Sequence, residues 1–183
     1  MKKLKGFDFI IIAILSGLVA FSDIVAVIGL PTGILSVSSL YIGSVFYLLF
    51  IAAFKFKGVL SVYIGLLLAS FFTTGFSIMP LFLAWGNVFA PLFILFMMKT
   101  TNSNFEMKSL KSISLEILFM IIAPLISGGW VLGGFVVFGI IPSSSLIAAL
   151  IPWLIGGIIV NLVIGIPLMK FVLPLFKKYS ITK

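Results

Sequence analysis

Asp23 stands in the apolar run "GLVAFSDIVAVIGL". A carboxylate inside a membrane span is disfavoured by about 2.5 kcal/mol or more at the bilayer centre, so it faces a packed interior, water or a bound cation. It suits a proton or cation site, or a ligand bearing an amine or cationic group. In "FLAWGNVFAPL", Trp85 and Asn87 flank Gly86, and Pro80 and Pro91 bracket them. Trp130 lies in "SGGWVLGG" and Trp153 in "ALIPWLIGG". Indole rings stack on flat ligands and attract cations, and an amide orients a ligand by both donating and accepting. Asp23, Trp85, Asn87, Trp130 and Trp153 are therefore the candidate substrate-binding residues. Each also has a plainer role: tryptophans anchor at membrane interfaces, and an amide joins helices for about 1 kcal/mol or less. Asp8 beside Lys5, and Glu116 near Lys111, read as interfacial charges. Asn161 reads as interhelical glue, or as a cap where Gly165 and Pro167 disturb a helix.

Other chemistries are missing. The chain has neither cysteine nor histidine, which excludes disulfides, thiol or imidazole catalysis and Cys/His metal sites. Its four acidic residues, Asp8, Asp23, Glu106 and Glu116, supply no carboxylate pair on one face. The serines of "SGG" and "PSSS" have no partner base, and no Walker-type loop exists. The sequence predicts no enzyme, no metal site and no cofactor. Any use of ATP would belong to another subunit.

The elements that position these residues follow from composition. Of 183 residues, 62% are hydrophobic and 9% charged, with a mean hydropathy of +1.39. A soluble domain carries about 25% charged residues. This chain lacks the polar surface to coat a globule. A span needs about 20 apolar residues, and the continuous apolar runs exclude the alternation of barrel strands. The reading is an all-α integral membrane protein, a single transmembrane domain with six transmembrane helices. The spans are 7–30, 34–54, 58–78, 79–98, 113–141 and 146–171. The start, "MKKLKGFDFIIIAILSGLVAF", looks like a signal peptide, but Asp8 interrupts it and the apolar run continues past Val27, so it reads as a retained first helix. The long fifth span is expected to tilt, kink or unwind at "SGGWVLGG", near Gly128–Gly134.

All twelve basic residues are lysine. With both termini in the cytoplasm, six spans bring every lysine to the cytoplasmic side, and the outer turns "PTG", "FTTGFSIMP" and "IPSSS" carry none. That follows the positive-inside rule, and it accounts for the net charge of +8 through membrane lipids rather than nucleic acid. At about 1.5 Å of rise per residue, Asp23 and the three tryptophans, together with Asn87, then share the outer half of the bundle. In "AILSGLVA", Ala13, Ser16, Gly17 and Ala20 form a smooth stripe that lets another backbone approach closely.

A six-span chain of about this size, with an outward-facing site and a small-residue stripe on its first helix, resembles the substrate-binding S component of energy-coupling factor (ECF) vitamin transporters. Ala13, Gly17 and Ala20 look like that family's docking surface, with Ser16 where another alanine is usual. "GVLSVYIGLLLASFFT" followed by "GNVFAP" is similar to its Gly-rich middle helices, and "ALIPWLIGGIIVNLVIGIPLMK" to its last helix. The resemblance implies capture of a small-molecule substrate, vitamin-like or heterocyclic, at the cell (plasma) membrane. It also implies docking on a transmembrane coupling subunit with ATPase subunits. The lack of arginine, and of lysine on the outer side, argues against a carboxylate ligand held by a bidentate clamp. Two alternatives stay open. One is a stand-alone secondary transporter or channel using Asp23. The other is a non-transporting sensor or structural module, since the chain also resembles the membrane sensor domains of bacterial signalling proteins.

Overall fold

The computed structural model describes residues 6–29, 42–102 and 110–178. The turn at 31–33, the expected first part of span two, and the stretch 103–109 with Glu106 and Lys108 lie outside the described residues, as does the side chain of Glu116. The described chain is mostly helical: α1 (Gly6–Gly29), α2 (Gly43–Phe54), α3 (Phe56–Thr74), α4 (Ile78–Thr101), α5 (Leu110–Val137), α6 (Leu146–Val160) and α7 (Leu173–Lys178). Two π-helical stretches, Asn161–Gly165 and Leu168–Val172, join α6 to α7 in one continuous rod. Five helical segments are long and apolar enough to cross a membrane, and α2 is a shorter apolar helix. The chain is an all-α multi-pass membrane protein.

The packing follows from where small residues sit. Helices α1 and α3 run parallel: Asp8 pairs with Lys57 at 2.6 Å at one end, and Gly65 faces Ser16 and Val19 further along. A methyl group on Gly65 would stand 2.6 Å from the Ser16 carbonyl oxygen. Asp8 thus pairs with Lys57 across helices; Lys5, beside which the sequence set it, lies outside the described residues. Helix α2 turns into α3 through Lys55 alone, at φ 53°. Its N–H donates to the Ile51 carbonyl at 2.8 Å, and its own carbonyl accepts from Val59 at 3.0 Å. Gly75, at φ 78°, ends α3.

Helix α5 is continuous over 28 residues, so the backbone does not unwind near Gly128–Gly134. One glycine of each doublet faces a bulky neighbour. A methyl on Gly128 would lie 2.6 Å from the Trp153 ring, and one on Gly134 would lie 2.7 Å from the Phe82 ring. Gly129 and Gly133 face open space. The doublets are notches that admit α6 and α4.

Prolines shape the last rod. A proline offers no N–H to the carbonyl four residues earlier and crowds it. The first π-helical stretch ends just before Pro167 and the second just before Pro174, as expected where the backbone rewinds around a lost bond.

The buried apolar side chains form two clusters. The larger joins α1–α4 with Met120, Ala123, Met169 and Leu173. The smaller gathers Leu83, Val131, Leu132, Phe135 and Trp153 between α4, α5 and α6. Five polar side chains are buried among the described residues: Ser16, Asp23, Ser61, Ser127 and Asn161.

Candidate functional site

Asp23 is 7% exposed, on the inward face of α1. The Tyr47 hydroxyl of α2 donates to its Oδ1 at 2.7 Å. Tyr47 is 1% exposed, and this carboxylate–phenol pair is the polar centre of the bundle. Gly43, one helical turn earlier, leaves room for the phenol: a methyl there would stand 2.7 Å from the Tyr47 oxygen.

Two adjoining cavities flank the pair. The first, polar in part, is lined by Asp23, Ser70, Thr73 and Asn87 with Leu66 and Phe135 among its apolar walls. It encloses about 410 Å³ of space free of atoms, counting its mouth. The second, largely apolar, has Pro91, Ala123, Pro124 and Gly157 in its walls and encloses about 450 Å³ on the same measure. Asn87 and Trp153 line both. Tyr47 lines the second while bonding to Asp23 of the first.

Trp153 is fixed at this junction. Its indole N–H donates to Ser127 Oγ at 3.3 Å, and Ser127 donates to the Pro124 carbonyl at 3.3 Å. The ring lies in the notch at Gly128. Asn161 bridges three elements. Its Nδ2 donates to the Met120 carbonyl at 3.0 Å, and its Oδ1 accepts from Ser44 at 3.4 Å. The Met120 carbonyl is the one that Pro124 cannot serve, because the donor four residues on is missing. Asn161 supplies that donor, which fits its reading as interhelical glue.

Of the five residues the sequence marks as substrate-binding, Asp23, Asn87 and Trp153 come together at the cavities. Trp85 and Trp130 line neither. Trp85 is 39% exposed; it packs on Tyr63 at a ring distance of 4.7 Å and on Phe89 at 5.6 Å. Trp130 stacks on Phe82 at 4.7 Å and donates to the Phe82 carbonyl at 2.9 Å. Phe89 meets it edge-on at 4.9 Å. These rings form one aromatic run across α3, α4 and α5, facing away from the cavities. The small-residue stripe also divides. Ala13 and Gly17 are exposed, and a methyl on Gly17 would meet nothing, whereas Ser16 and Ala20 are buried.

Sequence reasoning missed Tyr47, Ser70 and Thr73. Nothing in "SVFYLLF" sets Tyr47 apart, although a phenol in a bilayer needs a polar partner. "ASFFTT" carries three hydroxyl groups on one turn and a half, a signal that a wet or ligand-facing end was present.

No protein-family model, no curated protein and no solved structure matches the chain. The functional reading rests on the site alone.

Proposed function

We propose that the chain is a substrate-capture subunit of an ECF-type transporter, located in the plasma membrane with both termini in the cytoplasm. It binds a small vitamin-like or heterocyclic compound at the cavities beside Asp23, and it docks on a coupling subunit with ATPases. The observation that carries this reading is the buried Asp23–Tyr47 pair beside two cavities that share Asn87 and Trp153 in their walls, inside a six-helix bundle. A polar pair at this depth is disfavoured unless it serves packing or a ligand, and the adjoining space supports a ligand. The open face at Ala13 and Gly17 suits close approach by a partner helix. Affinity purification from cells expressing the tagged chain together with a coupling subunit and its ATPases tests this: a stable complex and ATP-dependent uptake are expected. Uptake by the chain alone in proteoliposomes would favour a secondary transporter or channel using Asp23. One observation favours that second reading: as they stand, the cavities admit groups the size of water, suited to a proton or small cation.

A further inference from the structure

The two apolar clusters are also two bodies. The smaller one, with Leu83, Val131, Leu132, Phe135 and Trp153, takes its helical members from the halves of α4, α5 and α6 that lie toward the Ser143–Ser145 turn. It is tied within itself. The Trp130 indole donates to the Phe82 carbonyl at 2.9 Å, joining α5 to α4, and the Trp153 indole donates to Ser127 at 3.3 Å, joining α6 to α5. The notches at Gly134 and Gly128 seat the Phe82 and Trp153 rings.

Further along, each of these three helices is interrupted at about one level. Pro91 lies inside α4, Pro124 lies inside α5, and the π-helical stretch Asn161–Gly165 follows α6. At about 1.5 Å of rise per residue, Pro91, Pro124 and Asn161 stand about 20 Å from the ends of their helices nearest the Ser143–Ser145 turn. All three line the apolar cavity. A proline removes one rung of the helical ladder, and a π-helical turn marks a soft point in it. The bond that replaces the rung at Pro124 comes from the Asn161 side chain, which swivels where a backbone donor does not. The polar cavity lies between the two bodies. Asp23, Leu66 and Ser70 line it from α1 and α3, and Val131, Phe135 and Trp153 line it from the smaller cluster.

We infer that the halves of α4, α5 and α6 carrying the smaller cluster rock as one cap on a three-point hinge at Pro91, Pro124 and Asn161–Gly165, parting from α1 and widening the polar cavity. Ala84 and Val88 of α4 pack into the larger cluster, so α4 is the pivot side and the gap opens at α5 and α6. As they stand, the cavities admit only groups the size of water; the hinge supplies the room that a larger solute needs. The motion belongs to the bundle itself, and the solute it admits rests on the capture reading above.

Thiol labelling tests the motion without a ligand. The chain has no cysteine, so each introduced thiol is read alone. Val131 lines the polar cavity and is 4% exposed, and Val62 is fully buried in the larger cluster. The reagent is a methanethiosulfonate bearing a trimethylammonium group, too large for the cavity unless the cap lifts. In nanodiscs, Val131→Cys is expected to react about tenfold or more faster than Val62→Cys. Pro91→Ala and Pro124→Ala together restore both rungs and should slow the reaction at position 131 about fivefold, with position 62 unchanged. Should that pair of substitutions fail to fold, by elution profile and thermal transition, Gly165→Ala stiffens the third hinge point. Its methyl would stand 3.7 Å from Met120, an ordinary contact, and slowing of about twofold or more is expected. Equal rates at the two positions overturn the inference, as does a rate at position 131 untouched by the hinge substitutions or no reaction there. Complex formation with a coupling subunit is read separately. If the complex forms and the labelling fails, the hinged cap alone is refuted; if the labelling succeeds and no complex forms, the capture reading falls and the hinge stands.

Discussion

At the scale of single residues, the amide of Asn161 shows how this chain keeps polar groups satisfied where water is scarce. Pro124 deprives the Met120 carbonyl of its helical donor, and Asn161 reaches across from the last rod to replace it. Asn161→Ala is expected to lower stability in detergent by about 1 kcal/mol. Pro124→Ala restores an N–H in the right place, so Asn161→Ala should be milder in that background, with a coupling of about 0.5 kcal/mol or more in a double-mutant cycle. Strictly additive losses in denaturation midpoints would separate the amide from that carbonyl. The sequence made Asn161 legible as glue because an amide in a span has few other uses. Trp85 lies off the two cavities because depth along a helix says nothing of rotation about it. Residues 85 and 87 lie close in level but stand about 160° apart around an α-helix. Asn87 faces the cavities and Trp85 does not. Trp130 likewise lines neither cavity, its ring lying over Phe82.

At the scale of elements, glycine position governs which helices touch. A methyl on Gly58 would collide with the Phe50 carbonyl oxygen of α2, and backbone cannot step aside as a side chain can. Gly58→Ala is expected to destabilise by about 1–3 kcal/mol. Gly133→Ala meets nothing and gains helix propensity, so it should be neutral or stabilising by up to about 1 kcal/mol. Thermal unfolding of the two variants side by side checks the order; a more damaging Gly133→Ala would contradict the packing of α5. The spans themselves were legible, since long apolar runs have few alternatives in a bilayer. The doublets in "SGGWVLGG" do not unwind the helix. Whether glycine loosens a helix or seats a neighbour depends on what faces it, and Trp153 and Phe82 come from distant parts of the chain.

At the scale of the whole molecule, helix polarity places Lys55, Lys57, Lys99 and Lys178 at one end and the Gly75 and Ser143–Ser145 turns at the other. The proposed orientation sets the lysine end in the cytoplasm. Because the chain has no cysteine, a single introduced thiol reports its side without background. In intact cells, Ser143→Cys is expected to react with a membrane-impermeant maleimide and Lys99→Cys only after permeabilisation; the reverse pattern would invert the topology. Both positions are exposed. The division of the buried apolar side chains into two clusters was not legible, because it depends on which helix faces meet, and no single span carries that information.

The placement of Trp153 has an optical consequence. Of the three tryptophans, it alone lines the cavities, and its indole N–H is tied to Ser127. With Trp85→Phe and Trp130→Phe in place, the remaining emission comes from inside the site. Occupancy would then register as a change in its intensity or wavelength, while solvent or detergent around the bundle leaves it nearly constant. The fold thus carries a built-in fluorophore for screening ligands by titration, with no label attached.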